Sequence, residues 1–547
     1  METSETRNSP SASTTPAASS PWEPLRQPLY RWVWLASIVS NIGSTMNDTA
    51  AVWTMTTMTP SPVMISLMQT MSSLPLFLLA LPAGALADVV DRRQQILLAQ
   101  AGALLTAVGM ALLAWMGRLN AGLLLLATFQ LGMAAAFTTP AWRAMIPDLV
   151  GRAKLAPSFA LDAVGYNIAR CFGPILGGLL VAALGPVPVF SLNAISFIAV
   201  IAVMSHRGYS GQPRSAQKEQ MLGAITAALR YARHSPPMQA VLARAGVHVF
   251  AAVAPIALLP LLIRERHWAA SDFGLLMGCY GTGAIVAALV LLPSLRLRHS
   301  YDRVLGGASV VAAVSTGLLG IAANRWLMGL DLLFVGGGWM TALNTFSVAS
   351  QSAFPNWVRA RSSAIYLVVV QGGFALGALC WGRVTGWTAS STALWCAGGW
   401  LLVCAAFDRW LPISHVEKLD LSPSNHWPQI HNLAVEPAPD DGPVLITVDY
   451  QIDPAQAREF RAAMRALRRT RLRDGAFRSS LFHDLDHPAH FRETFLVGSW
   501  AEHLRQHERA TVEDKRIEEA VTAFHRGDEP PRVRHFLMTN LRDRTGE

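Results

Sequence analysis

The property that most narrows what this chain can become is the recurrence, between Tyr30 and Trp410, of long apolar runs such as Ser66–Ala87 and Gln95–Trp115. A helix rising about 1.5 Å per residue needs roughly 20 apolar residues to cross ~30 Å of hydrocarbon. Each run reaches that length. A helix resting on a soluble core needs only one apolar stripe, so repeated runs that are apolar all round point to a polytopic membrane protein. Composition agrees: 52% of the 547 residues are hydrophobic and 15% are charged.

In order, the runs predict spans at 31–57, 62–87, 94–117, 121–145, 155–183 and 186–205, then at 237–263, 271–293, 303–323, 325–353, 362–386 and 390–411. The expectation is an all-α bundle of 12 transmembrane helices in two sets of six, residues 30–205 and 237–412. Residues 1–29, polar and rich in Ser, Thr and Pro, read as a disordered tail rather than a signal peptide. Residues 206–236 form a central loop whose amphipathic piece, Gln217–Arg233, suits a membrane surface.

Lys and Arg concentrate in alternate loops: Arg92 and Arg93; Arg152 and Lys154; Arg207, Arg214 and Lys218; Arg296 and Arg298; Arg359 and Arg361. The positive-inside rule then puts these loops and both termini in the cytoplasm; a bacterial inner membrane is the expected location. The same loops account for a sequence pI of 9.7 without a nucleic-acid partner. The five cysteines (Cys171, Cys279, Cys380, Cys396, Cys404) lie within apolar runs and have no CxxC spacing. They read as small buried side chains, not as disulfides or metal ligands. Ile146-Pro147-Asp148-Leu149-Val150 after span four is echoed by Phe354-Pro355-Asn356-Trp357-Val358 after span ten, as an internal repeat predicts.

Gly84-Ala-Leu-Ala-Asp88-Val-Val-Asp91-Arg92-Arg93 resembles the loop signature of the major facilitator superfamily, and it falls between spans two and three, where that signature belongs. Gly173-Pro174-Ile-Leu-Gly177-Gly178 in span five resembles the superfamily's antiporter motif. With the adjoining Asn167 and Arg170 it is similar to the enterobactin-exporter-like, transmembrane secretion effector branch, in which an acidic residue commonly stands where Asp91 does. The resemblance covers about residues 30–412. It implies alternating access, with Gly84, Asp88, Asp91, Arg92, Arg93 and Asp148 as a conformational latch: Asp88 near the start of span eleven at Ser362, Arg92 with Asp148. Span four departs from the pattern of proton antiporters. Thr128, Gln130 and Gly132 stand where many of those proteins carry a basic residue.

A charge near the bilayer centre costs ~2.5–3.5 kcal/mol on insertion scales, so it faces a cavity or a partner. Ser37, Asn41, Ser44, Thr45 and Asp48 make a polar stripe on span one, and Asp48 reads either as a cavity residue or as a hydrated residue near the outer surface. Asp162 and Arg170 are eight residues apart on span five, too far for an ion pair. Arg170 is expected to meet Asp48 or the carbonyls at Gly173-Pro174. Asn41, Thr45, Asp48, Asp162 and Arg170 are therefore the candidate substrate and proton pathway. Arg244 and His248 share a face of span seven, where a satisfied buried histidine is the commoner case. Asp331 lies near the outer end of span ten. Trp32, Trp34, Trp53, Trp142, Trp326, Trp387 and Trp410 sit near span ends, as an interfacial belt predicts.

After Pro412 the composition turns polar. Residues 413–442 read as a Pro-rich linker and 443–540 as a soluble α+β domain: strand Val444–Ile452, helix Pro454–Leu472, strands Ala476–Asp484 and His490–Trp500, a helix from Ala501, strand Val533–Met538. That order is ferredoxin-like. It resembles the small dimeric α/β-barrel domains related to antibiotic-biosynthesis monooxygenases, which implies a dimerising or ligand-sensing module, while Arg473-Asp474-Gly475-Ala476 and the stretch from Ser499 to Arg509 are similar to segments of the secretion-effector branch. His503 and His507 share a helix face without the HExxH pattern of a zinc site. The leading functional expectation is a secondary transporter, not an enzyme. It would need no cofactor, exporting a small molecule across the lipid bilayer in exchange for protons, with a homodimer through the C-terminal domain as one arrangement. The alternative is a membrane-anchored enzyme or ligand sensor.

Overall fold

The computed structural model describes residues 22–151, 154–206, 218–355, 357–427 and 435–539. The first six long helices are α1 (Pro28–Met58), α2 (Pro62–Val89), α3 (Arg92–Trp115), α4 (Ala121–Val150), α5 (Leu155–Leu184) and α6 (Pro186–Ser205). A shorter helix, α7 (Lys218–His234), follows. The second set is α8 (Pro236–Ala252) with α9 (Ala254–Glu265), α10 (Ala270–Val286) with α11 (Leu292–Arg298), α12 (Tyr301–Leu319), α13 (Arg325–Ser352), α14 (Arg359–Trp387) and α15 (Ser390–Ala405). α8 and α9 together make one span, as do α10 and α11, which a π-helical turn joins.

Among the described residues, 11 helices are long and apolar enough to cross a membrane. α1 is not one of them, because Ser, Asn, Thr and Asp interrupt its apolar character. It is nevertheless 31 residues long and packs along α5 and α6. Local chemistry explains the helix ends. Ser61, Asp91, Asn120 and Asn324 cap α2, α3, α4 and α13 by accepting from backbone N–H groups of the first turn. Gly151 and Gly185 end α4 and α5 at φ of +74° and +78°, where an L side chain would be strained.

Within the first half α1 packs on α5 and α6, and α3 on α4 and α6; within the second α13 packs on α10 and α12, and α12 on α15. The halves meet where α2 lies against α14 and α5 against α10. The bundle therefore has a proximal end, holding Pro28, Val89, Val150, Ser205 and Arg359, and a distal end, holding Met58, Trp115, Leu184, Glu265 and Trp387.

Several expectations need correction. α4 runs through Pro147 to Val150, whereas α13 stops at Ser352, before Pro355, so the sequence echo is not a structural one. Cys380 and Cys396 are exposed on their helices rather than buried. Trp32, Trp326, Trp387 and Trp410 are exposed as a belt requires, but Trp34 donates to Leu161 O, Trp142 donates to Asp162, and Trp53 stacks on Phe273. Arg244 pairs with Asp302 inside the second half, and the same carboxylate accepts from the N–H groups of Ile413 and Ser414. That buried pair pins the chain as it leaves α15.

The C-terminal unit comprises β1 (Val444–Gln451), α16 (Ala457–Asp474), β2 (Arg478–His483), β3 (His490–Val497), α17 (Trp500–Arg509), α18 (Val512–Thr522) and β4 (Arg532–Leu537). Its sheet has strand order β2-β3-β1-β4, every neighbour antiparallel, with Val444 opposite both Val497 and Leu537. Alternation puts Val444, Ile446, Val448 and Tyr450 on the face that packs with Phe460, Met464 and Leu467 of α16. The single second helix expected from Ala501 is two helices, because Thr511 and Asp514 form a capping box that starts α18 afresh. Residues 420–427 are not free linker. Ser422 O and Ser424 N bond Val512 N and Ala510 O, and His426 and Trp427 both reach Glu518.

α7 does not lie free for a membrane surface. Ala228, Tyr231 and Ala232 are buried with Val241, Phe354, Val358 and Val416 at the proximal end of the second half, and α7 also packs on α16. Arg230 bonds Glu502 at 3.0 Å, Arg509 lies 4.3 Å over the Trp357 ring, and Arg473 lies 5.0 Å over Tyr231. The C-terminal unit is thereby docked on the helix that joins the two halves.

Candidate functional site

The site is the space between the two halves, and its distal end is shut. The Trp53 and Phe273 rings stack at 6.1 Å, Arg264 donates to Thr59 O at 2.5 Å, and Thr70 donates to Ala375 O at 2.9 Å. The tightest seam is α5 against α10. A Cβ on Gly178 would stand 2.7 Å from Ala270 O and from Gly274 Cα, and one on Gly274 would stand 2.5 Å from Pro174 O. Further along, a Cβ on Gly281 would meet Arg170 O at 3.0 Å. Gly173 and Gly177 admit the neighbouring Thr45 and Met46 of α1. The antiporter-type glycines are thus close-packing residues on both sides of α5, as small residues at membrane helix interfaces are. Sequence reading did not find their counterparts Gly274, Gly278 and Gly281, although their spacing on α10 is the same kind of signal.

Toward the proximal end the same helix opens. Tyr166 and Phe159, one and three turns before Arg170 on the same side of α5, are 52% and 42% exposed. Phe172, Leu176 and Leu179, also exposed, occupy the other side. Two exposed strips separated by the α1 and α10 contacts are what a helix shows when one side meets lipid and the other lines a cleft.

Asp48 belongs to the cleft. It is exposed, and it lies nine residues, two and a half helical turns, from the exposed Val39, which puts the two on opposite sides of α1. Val52, one turn beyond Asp48, packs against the core of the second half. Asp48 is ten residues from the distal end of α1, or about 15 Å, beyond the Trp53 seal as seen from that end. Thr45 turns the other way, donating to Ala169 O of α5 at 3.0 Å, so the polar stripe divides between packing and cleft. Asn41 is half-buried one turn before it.

Arg170 stands at the level of Thr45, since its neighbour Ala169 receives the Thr45 bond. It makes no ion pair with Asp48 and no bond to the Gly173-Pro174 carbonyls among the described residues. Its neighbours are two tyrosines: the Tyr166 ring at 5.9 Å, and Tyr280 from α10 in the other half. Tyr280 is 2% exposed, Arg170 reaches toward its hydroxyl oxygen, and its O–H finds no acceptor among the described residues. Neither tyrosine was singled out in the sequence, where nothing local marks them.

The remaining candidates do other work. Asp162 accepts from the Trp142 indole at 3.0 Å and sits by the proximal core, away from Arg170. Asn167 donates to Ala163 O of its own helix. His248 is buried against Ser309 and Phe346 inside the second half. In the loop signature Arg92 bonds Asp148 at 2.5 Å and Ala144 O at 2.9 Å, tying α3 to α4 as expected. Arg93 donates to Met204 O and Ser205 O, closing α3 onto α6. Asp91 caps α3 at Arg93 N, a local role, and Gly84 has open space where a Cβ would go. The side chains of Asp88 and Ser362 lie outside the described residues.

Known proteins place this architecture. The family model described as transmembrane secretion effector matches residues 19–543. The enterobactin exporter of Citrobacter koseri is 27% identical over 360 residues, covering 64% of this chain and 84% of that protein. That of Escherichia coli is 26% identical over the same length and shares. Among solved structures, a bacterial homolog of the human lysosomal transporter Spinster, inward-facing and unoccupied, superimposes with a TM-score of 0.55 at 15% identity, covering 73% of this chain and 97% of that one. A POT family transporter reaches 0.59 at 11% identity, covering 72% and 99%. These structural likenesses concern the fold.

Proposed function

The chain belongs to the transmembrane secretion effector family of the major facilitator superfamily, and we propose that it is a proton-coupled exporter of a small organic molecule, siderophore-like or drug-like, across the bacterial inner membrane. In this reading α1 completes a set of 12 spans, both termini are cytoplasmic by the distribution of Lys and Arg, and the proximal end is the cytoplasmic one. The cleft carries the reading. It is shut at the distal end by Gly178 against Gly274 and by Trp53 on Phe273, and open past Tyr166, with the Asp48 carboxylate, unpaired among the described residues, on its wall. Substrate enters from the cytoplasm, the halves rock so that the α5–α10 seam parts, and the distal end opens. Asp88, in the loop signature with Gly84, Asp91, Arg92 and Arg93, latches the opposite state.

Asp48 is the group that exchanges the coupling proton. One proton moving through 100 mV gains about 2.3 kcal/mol, enough for roughly fiftyfold accumulation. The C-terminal unit, whose strand order is that of a ferredoxin-like domain, is a sensing or dimerising module docked through α7. The test uses inside-out vesicles with enterobactin, the substrate named for the relatives, as probe. The parent should accumulate it when the lumen is acid. Asp48→Asn should lose accumulation yet keep downhill exchange. Accumulation by Asp48→Asn at the parental rate, or by the parent without regard to the gradient, would overturn the reading.

A further inference from the structure

We propose that Arg170, Tyr166 and Tyr280 form a binding subsite for the anionic end of an aromatic organic acid, shared between the two halves of the bundle. This rests on the cleft being the transport route, and it adds the substrate's charge and shape. The first observation is the guanidinium itself. A cation at membrane depth calls for a countercharge, yet Arg170 makes no ion pair among the described residues, and the groups named beside it are two tyrosines, Tyr166 and Tyr280. The second observation concerns its neighbour. The Tyr280 hydroxyl is buried in the second half, where the Arg170 guanidinium is the hydrogen-bonding group that reaches toward its oxygen, and its own O–H finds no acceptor among the described residues. A buried donor left unpaired costs about 1–3 kcal/mol, and such a group in a native fold calls for an explanation.

A single ligand group answers both. A carboxylate or phenolate accepts from the guanidinium and from the Tyr280 hydroxyl together, and charge-assisted bonds of this kind are the strong ones. The third observation concerns the rest of the ligand. The Tyr166 ring is 52% exposed on the cleft wall, one turn toward the open end, with Phe159 exposed two turns further along the same side. Their faces suit a flat apolar body trailing from the anion. A cationic molecule is disfavoured at this position by Arg170, and a neutral one leaves the guanidinium without a countercharge.

The placement also has a mechanical consequence. Arg170 comes from α5 and Tyr280 from α10, and a Cβ on Gly281 would touch the Arg170 carbonyl. An anion bridging the two therefore ties the first half to the second at the seam that must part when the distal end opens.

The experiment measures binding of a matched pair, 2-naphthoate and 2-naphthamide, to the purified full chain in nanodiscs by equilibrium dialysis. The parent should bind the carboxylate at least tenfold more tightly than the amide. Arg170→Gln should bring the two within threefold, Arg170→Lys should fall between, and Tyr280→Phe should weaken the carboxylate several-fold while leaving the amide unchanged. Thermal unfolding without ligand supplies a second readout: Arg170→Gln and Tyr280→Phe should be as stable as the parent or more so, because each removes an unmatched polar group. Absence of saturable naphthoate binding by the parent, or discrimination that survives Arg170→Gln, would overturn the subsite. Asp48→Asn separates this from the coupling reading. It should keep the discrimination, so loss of proton coupling as a hypothesis leaves the anion site standing, and the reverse.

Discussion

Substituting Gly178 by alanine should drive the bundle away from its distal-closed state. The added Cβ would stand 2.7 Å from both Ala270 O and Gly274 Cα, where ordinary contact begins at 3.4 Å. Both atoms are backbone, so no side chain can swing aside, and α5 and α10 must part by at least 0.7 Å, the difference of those two distances. Overpacking of this kind costs about 1–3 kcal/mol. In the proposed alternating access the seam parts when the distal end opens, so the cost falls on the closed state and shifts the balance between the two states by ~5–150-fold. The assay is thiol labelling of Tyr166→Cys, on a background without the five native cysteines, by a maleimide confined to the proximal side. Labelling should slow at least fivefold when Gly178→Ala is added. Gly109→Ala on α3, where no atom lies within 4 Å of the new Cβ, should change nothing. A folded Gly178→Ala protein labelled within twofold of its parent would refute the argument that this seam defines the state.

Breaking the buried pair by Arg244→Met alone should cost roughly 3–5 kcal/mol, because Asp302 is left charged among Leu411, Ile413 and Ser414, whereas adding Asp302→Leu should recover much of it. Thermal unfolding in nanodiscs reads both variants. Acid should loosen the C-terminal unit. Burial, together with the neighbouring histidines and Arg471, holds the folded His503 down to about 3 and His507 to about 4. The folded state then binds fewer protons than the unfolded one below the ordinary histidine value of 6.5, so stability is full above that value and falls as pH drops toward 4. The slope approaches ~1.4 kcal/mol per pH unit for each histidine. Glu518, held down to about 2 against burial by Arg471, His426 and Trp427, adds a second loss below its ordinary 4.5. A melting temperature of this unit that does not move between pH 7 and 5, or a His503→Gln variant as acid-sensitive as the parent, would contradict this.

Much of the membrane part was legible because its cause is local. A run of 20 apolar residues needs no partner to be recognised; the caps Ser61, Asn120, Asn324 and Asp91, which the reading passed over, are as local, with bonds spanning two or three residues. The Arg92–Asp148 pair was foreseen beside the loop signature. Thr45 was misassigned because a helical stripe tells which residues share a side of a helix but not what stands opposite. Its hydroxyl faces α5, whereas Asp48 is exposed. Trp34 and Trp142 were read as interfacial by their distance from span ends, yet each serves a helix contact that brings residues more than 15 positions apart together.

By itself, then, the sequence determined what every short segment does in a bilayer: which stretches cross, where they begin, which loops hold the charge, and where polar gives way to apolar at Pro412. Only the tertiary structure decided which polar groups meet. Arg170 and Tyr280 are 110 positions apart, and Arg230 and Glu502 are 272 apart. Burial and pairing at such distances depend on how helices pack, and the same arginine, read along the chain alone, serves equally as a structural tie, a proton partner or an anion site. The packing of α5 on α10 adds what the chain order lacks. It sets a guanidinium from one half beside a buried tyrosine from the other.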